Sequence, residues 1–184
     1  MSEAKRPSFL RLGVWAVFFG LMALWAAQNV FDWGPQSPLI GQPAPTFEAP
    51  IVAGDGEGDR VALEPLRGRA VMLDFWASWC PPCRASIPIV TRVAERHAAD
   101  GLVTLGVNVE RERSPVFVQR AHAALHAGFP SLHDTTGMQF DYGIQSLPTL
   151  ILIDRRGVVR LFEVGVPDEE ALDAHIREIL REDP

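Results

Sequence analysis

One junction between a strand and a helix constrains the fold more than any other part of this sequence. Residues 70–76 are apolar at every position but Asp74, a pattern typical of a strand buried on both faces. From Pro81 to about His97 the apolar side chains lie on one face, which predicts an amphipathic helix. Two further apolar segments, 102–109 and 149–153, predict neighbouring strands. Strands and helices that alternate in this way predict an α/β domain with a mixed central sheet flanked by helices.

The remaining elements follow from local start and stop signals. Ser114 is a helix cap followed by proline, so a helix should begin there and be ended by Gly128. A tight turn rich in polar residues predicts a hairpin over 149–164. Asp168 should cap a last helix that ends near Arg181.

An uncharged segment near the start of the chain is long enough to cross a membrane. Residues 12–31 carry no charge, and twenty helical residues rise roughly 30 Å. Three basic side chains precede it, so we predict that residues 1–11 stay in the cytoplasm and that 12–31 is a single-pass anchor in the cytoplasmic (inner) membrane. A cleaved signal peptide is the alternative, although Trp25 fits a cleavage site poorly. Both interpretations place the rest of the chain in the periplasm or an equivalent extracytoplasmic space.

A proline-rich stretch follows the uncharged segment. Five prolines lie between residues 34 and 50, and proline lacks the N–H that regular structure requires. We therefore predict an extended linker over 32–50 that leads into a folded domain at 39–184.

Composition excludes several classes of protein. A hydrophobic content of 47% excludes a disordered chain, and a net charge of -6 excludes a nucleic-acid binder with a basic surface. The chain has two cysteines, Cys80 and Cys83. They are too close together to staple a fold, and two thiols are too few for a structural zinc site. We therefore predict that the two cysteines carry out chemistry themselves, with no metal and no cofactor.

The position of the cysteines indicates which chemistry. Cys80 should lie at the N-terminus of the predicted helix, where free backbone N–H groups and the helix dipole stabilise a thiolate. A lowered pKa would make Cys80 a nucleophile that is open to solvent, and Cys83, one turn inside, would be the resolving thiol. A structural disulfide or half of a metal site is the alternative, because zinc sites also use this spacing.

The residues around the cysteines resemble a known family. The run Phe-Trp-Ala-Ser-Trp-Cys-Pro-Pro-Cys-Arg occupies 75–84. This run resembles the membrane-anchored TlpA/ResA-like thiol-disulfide oxidoreductases of the thioredoxin superfamily. The resemblance extends to segments 40–47, 66–69, 129–134 and 142–149. The resemblance implies a thioredoxin fold with a short central helix-strand insertion, here 114–132. It also implies reduction of disulfides in extracytoplasmic proteins, often during assembly of cytochrome c or copper sites. A membrane thiol transporter would be the electron donor.

The same resemblance assigns residues to substrate binding. Leu147-Pro148 matches the cis-proline of the superfamily, and the backbone of Leu147 would then pair with an extended substrate segment. A proline at the first position of an edge strand is the alternative. Trp79, Pro81 and Pro82, beside the cysteines, are expected to line the substrate surface.

Asp74 is the most informative departure from the pattern. Thioredoxins have a buried aspartate at this place, whereas TlpA/ResA-like proteins more often have asparagine. Many relatives have a glutamate six residues after the first cysteine, where this chain has Ser86. Burial would raise the pKa of Asp74 and let it exchange a proton with Cys83. A carboxylate paired with lysine or arginine, or one that points to water, is the alternative.

Other polar groups have simpler interpretations. His122 and His126 have the spacing of half a metal site on a helix, but no third ligand is evident, so we expect an exposed helix face. The charged turn 110–113 and the acidic residues of the last helix are expected to be solvated.

Two other activities remain open at this stage. A disulfide-forming oxidase usually carries a larger helical insertion than this chain can hold. A copper-handling assembly protein would use the two cysteines as soft ligands but needs a third ligand, which neither Leu147 nor Thr149 provides.

Overall fold

The computed structural model describes residues 15, 17–22 and 37–182. The chain divides into two units, Met1–Gln36 and Ser37–Pro184. In the first unit, Trp15 and residues 17–22 are helical and exposed. Among the described residues, no helix has both the length and the apolar character needed to span a bilayer. Most of the predicted anchor 12–31 lies outside the described residues.

The second unit is built on one seven-stranded mixed sheet in the order β2-β1-β5-β4-β3-β6-β7. Strands β3, β4 and β5 are parallel to one another, and the other neighbouring pairs are antiparallel. The strands are β1 (Glu48–Ala53), β2 (Arg60–Ala62), β3 (Ala70–Trp76), β4 (Leu102–Asn108), β5 (Ser131–His133), β6 (Thr149–Ile153) and β7 (Val159–Val164).

Four helices accompany the sheet: α1 (Pro81–His97), α2 (Pro115–Ala124), α3 (Met138–Asp141) and α4 (Glu169–Arg181). Buried side chains of α1, α2 and α4 belong to one core cluster, on one face of the sheet. Those of α3 and of the segment before β1 belong to a second cluster, on the other face. β3 is buried along its whole length between the two, as the apolar run 70–76 predicts.

The helix-strand insertion is present as α2 followed by β5. Ser114 caps α2, with its hydroxyl accepting the Phe117 N–H at 3.3 Å. The helix ends at Ala124, earlier than predicted, and His126 then adopts a left-handed φ of 52°. Gly128 does not end the helix, but its lack of a side chain is required for another reason: a Cβ there would lie 2.5 Å from the Thr91 side chain of α1.

The predicted linker contributes more structure than its prolines indicate. Ala44 and Phe47 are buried, and the Tyr142 hydroxyl donates to the Pro45 carbonyl at 2.6 Å. Strand β1, which the sequence analysis did not predict, contains Pro50. The first half of β1 pairs with β2 and the second half with β5, so Pro50 lies at the end of one ladder and before the other.

Candidate active site

The two cysteines form a disulfide at the N-terminus of α1. Cys80 is the N-cap residue, and its Sγ accepts the Cys83 N–H at 3.1 Å. Pro81 and Pro82 occupy the first two helical positions and have no N–H to donate. The Cys83 N–H is therefore the first backbone donor of the helix, and it is directed at the Cys80 sulfur. This arrangement would favour negative charge on that sulfur in the reduced form.

Access to the disulfide is narrower than predicted. Cys83 is 0% exposed, as expected for a resolving thiol, but Cys80 is also only 2% exposed. The expectation of a solvent-open Cys80 is therefore wrong for the oxidised form, in which the sulfur is tied to Cys83 and belongs to the core cluster that α1 covers. A thiolate that attacks this disulfide must approach Cys80 along a restricted path.

The loop that carries Cys80 is held by Glu110. Its carboxylate accepts hydrogen bonds from the Ser78 N–H at 2.7 Å and from the Ser78 hydroxyl at 2.9 Å. Asn108 Nδ2 donates a third bond at 3.1 Å. Glu110 is 9% exposed, so the prediction of a solvated turn at 110–113 is wrong at this residue.

Sheet topology explains why Glu110 reaches this loop. Parallel neighbours β3 and β4 end at the same edge of the sheet, and the Val109 N–H donates to the Trp76 carbonyl at 3.1 Å. The residues that follow each strand are therefore adjacent. In the sequence, only its position directly after a predicted buried strand distinguishes Glu110 from Glu112.

Asp74 is fully buried in the middle of β3. Met72 and Trp76, two residues away on either side and hence on the same face, belong to the cluster that contains both cysteines. Neither carboxylate oxygen of Asp74 has a hydrogen-bond partner among the described residues. No salt bridge involves it there either, so the paired or solvated alternative does not hold. Desolvation raises the pKa of Asp74 to about 7.

The surroundings of Asp74 leave it without a compensating charge. Its register neighbours are Gly106 on β4 and Leu150 on β6, neither of which offers a polar side chain. Ser86 of α1, also buried, has an unpartnered hydroxyl. Asp74 is thus a carboxyl group that can hold or release a proton near neutral pH, on the same face of the sheet as Cys83.

The Leu147–Pro148 peptide bond is cis, as the resemblance implies. Thr149, the next residue, pairs with Phe75 near the end of β3, so the proline lies at the sheet edge from which the active-site loop leaves. The Leu147 N–H and C=O make no hydrogen bond to any described residue. These free backbone groups are suited to pair with an added strand.

The tryptophans beside the cysteines have different environments. Trp79 is 65% exposed, and Pro81 and Pro82 are also exposed. Trp76 is 0% exposed and belongs to the core. The exposed residues form an apolar surface around the recessed disulfide.

The histidine pair does not form a metal site. His122 is 8% exposed and its Nε2 lies 2.9 Å from the Phe129 carbonyl, so the expected exposed helix face is wrong for this residue. His126 lies beyond the end of α2. No group of three or more potential ligands is arranged to hold a metal among the described residues.

An ion-pair network joins α1 to α4. Asp173 is 6% exposed; its Oδ1 lies 2.9 Å from His97 Nε2 and 2.7 Å from Arg96 Nη1. Glu169 pairs with Arg92 at 2.7 Å. Hydrogen bonds from Arg96 and then His97 lower the pKa of Asp173. The prediction of solvated acidic residues on the last helix is therefore wrong at Asp173, because its partners lie on another helix.

Comparisons with known proteins agree with this site. Residues 40–162 match the AhpC/TSA family. The thiol-disulfide oxidoreductase ResA of Bacillus subtilis is 30% identical over 171 residues, which cover 92% of this chain and 92% of that protein. The thiol:disulfide interchange protein DsbE of Pseudomonas aeruginosa is 31% identical over 136 residues, covering 73% of this chain and 71% of that protein.

A solved structure extends the agreement to the fold. The crystal structure of a thiol:disulfide interchange protein of the thioredoxin family from Chlorobium tepidum TLS has a TM-score of 0.64 and 27% sequence identity. The match covers 75% of this chain and 95% of that one. The resemblance indicated by residues 75–84 and the predicted thioredoxin fold are confirmed.

Proposed function

We propose that this chain, a thiol-disulfide oxidoreductase of the AhpC/TSA family, reduces disulfide bonds in partner proteins outside the cytoplasm. The observation that carries this proposal is the site at the start of α1. There the Cys80 sulfur accepts the Cys83 N–H at 3.1 Å, while Asp74 lies buried on the same face of the sheet.

The first step is attack on the substrate. The Cys80 thiolate forms a bond to one sulfur of the partner's disulfide, and the other partner sulfur leaves as a thiolate. The product is a mixed disulfide between Cys80 and the partner. The helix N-terminus supports the reaction because the Cys83 N–H stabilises negative charge on the Cys80 sulfur before attack.

The second step releases the partner. Cys83 must lose its thiol proton to attack the Cys80 sulfur, and Asp74, in its carboxylate form, accepts that proton. The Cys80–Cys83 disulfide forms, and the partner's second sulfur leaves as a thiolate. In total the partner gains two electrons and this chain loses two. A dithiol must then reduce the chain again, and we propose a membrane thiol transporter for this role.

The substrate is held by strand addition. An extended segment of the partner would hydrogen-bond to the free N–H and C=O of Leu147, with Pro148 holding that backbone in place. Trp79, Pro81 and Pro82 would contact its side chains. Such contacts suit an unfolded or loosely folded segment, for example in a protein undergoing cytochrome c or other metalloprotein assembly.

The proposal includes a location. Residues 12–31 would anchor the chain in the cytoplasmic membrane, with 1–11 in the cytoplasm and the domain on the other side. A membrane-impermeant thiol reagent tests this, because the chain has only two cysteines. Labelling of the reduced cysteines in intact spheroplasts is expected. Labelling only after the membrane is permeabilised would contradict the location.

Trapping tests the activity itself. In Cys83→Ser the second step cannot occur, so mixed disulfides between Cys80 and its partners should accumulate and can be identified by mass spectrometry. The matched control is Cys80→Ser, which should trap far less. A reduction potential of about -200 mV or lower is expected, whereas one near that of DsbA, about -120 mV, would indicate an oxidase instead.

A further inference from the structure

A groove between α1 and α2 opens beside the active-site loop. We call it the α1–α2 groove; it has a volume of about 660 Å³ and is lined by Pro88, Phe117, Ala121 and Leu125, with Arg84 and Arg120 at its rim. Ala121 and Leu125 pack against the core cluster below, so its floor is apolar and fixed. No function described so far uses this groove.

Two arginines and His126 are the basic side chains that line the α1–α2 groove. Arg84 and Arg120 are exposed, and neither forms an ion pair or hydrogen bond with a described residue. Eight other arginines of the described part of the chain do form ion pairs. No carboxylate lines the groove within that part, and the net charge of the whole chain is -6. Two free cations at an apolar groove on an acidic protein are complementary to an acidic, partly apolar ligand.

The groove is lined by residues from both sides of the CPPC segment in the sequence. Ser78 lies on its wall, two residues before Cys80, and Arg84 directly follows Cys83. The Ser78 backbone is held by the buried Glu110, so this wall is rigid. The groove therefore lies beside the active-site loop, within reach of a chain segment that presents its cysteine to Cys80.

We propose that the α1–α2 groove binds the segment of the substrate protein that flanks its reactive cysteine, and that it selects segments with an acidic residue next to an apolar one. This inference rests on the proposed reductase function and adds to it a substrate class. The apolar side chain lies against Phe117 and Leu125, and the acidic side chains pair with Arg84 and Arg120. The Leu147 backbone, on the other side of the active-site loop, holds the cysteine itself.

The test uses the reduced full chain in detergent and three synthetic peptides that share one cystine and one flanking leucine. The leucine is bracketed by glutamate, lysine or glutamine. Every rate is divided by the rate with hydroxyethyl disulfide, an uncharged small molecule that reports thiol reactivity alone. At low salt the glutamate peptide should react about tenfold faster than the lysine peptide, and added salt should reduce that ratio.

Charge reversal identifies the groove. In Arg84→Glu/Arg120→Glu the normalised rate for the glutamate peptide should fall by about tenfold, and that for the lysine peptide should rise. The matched control is Arg69→Glu/Arg181→Glu, which makes the same charge change at exposed arginines without ion pairs and should keep the wild-type preference. A fourth peptide has serine in place of the leucine of the glutamate peptide. In Phe117→Ala the rate advantage of the leucine-containing glutamate peptide over this fourth peptide should shrink.

Each outcome has one meaning. If the reduced wild type reacts with none of the disulfides, the proposed function fails. If it reduces all three peptides at similar normalised rates, or if the double reversal leaves the preference unchanged, the function stands and the groove inference is overturned. A concentration-dependent dimer that Arg84→Glu/Arg120→Glu abolishes would overturn it in favour of a second copy of the chain.

Discussion

The buried carboxyl group of Asp74 should make the stability of this protein fall as the pH rises through neutrality. A carboxyl whose folded-state pKa lies above its unfolded value binds its proton more tightly in the folded protein. Here burial raises the pKa from 3.8 to about 7. The folded state is therefore penalised progressively as the pH rises from about 4 to about 7, and the penalty is constant above that range.

The size of the penalty follows from the shift. The folded and unfolded pKa values of Asp74 differ by about 3, which corresponds to about 4 kcal/mol of unfolding free energy at alkaline pH. Between about pH 5 and about pH 8 the loss amounts to about 2.5 kcal/mol. Asp74→Asn removes the titration, so the variant should lack this loss. Its own cost, a buried amide without a partner, does not depend on pH in this range.

Denaturant unfolding of the oxidised full chain measures the effect. Unfolding free energies of wild type and Asp74→Asn are compared at several pH values, and their difference is plotted so that titrations common to both proteins cancel. Asp55→Asn, at an exposed loop residue without side-chain hydrogen bonds, is the matched control and should run parallel to wild type. If the difference between wild type and Asp74→Asn changes by less than about 1 kcal/mol over this range, which is the size of the extrapolation error, Asp74 does not titrate as argued.

Three further perturbations probe other contacts. Glu110→Ala should lower the unfolding free energy by about 1–3 kcal/mol and slow disulfide exchange, because Ser78 loses two hydrogen bonds. Glu110→Gln should lower the unfolding free energy less, and equal losses in the two variants would contradict the argument. Asp173→Asn should lower the melting temperature at neutral pH. This difference in melting temperature should shrink as the pH falls below about 4, because a carboxylate with a lowered pKa stabilises the fold only while it is ionised. Calorimetry at both pH values checks this, and a constant loss would refute it. Gly106→Ala should destabilise the protein by about 1–3 kcal/mol, because its Cβ would lie 2.6 Å from Ser131 Oγ; urea unfolding that shows no change would disprove the clash.

Local sequence patterns predict the parts of this fold that depend on short-range physics. The apolar run 70–76 and the amphipathic run after Pro81 correspond to β3 and α1, because burial and helical periodicity act within each segment. The burial of Asp74 was predicted for the same reason, since it lies within an apolar strand. The cis bond at Pro148 depended on resemblance, because no local rule identifies it.

Three of the errors share one cause, which is a partner that lies outside the residue's own helix or turn. Glu110 is buried because Ser78, 32 residues earlier, donates to it, and Asp173 because His97, 76 residues earlier, contacts it. His122 similarly meets the Phe129 carbonyl only after the chain turns beyond α2. A charged or polar residue on a helix or turn is expected to be exposed unless the fold supplies such a partner, and a single sequence does not state which partner it will meet.

The recessed position of the disulfide sets a limit on what can reduce this protein. With only 2% of Cys80 exposed in the oxidised form, a rigid, rounded surface cannot bring an attacking sulfur into bonding range. A flexible strand that passes Trp79 can do so. We therefore expect the electron donor to deliver its thiolate on an extended, flexible segment.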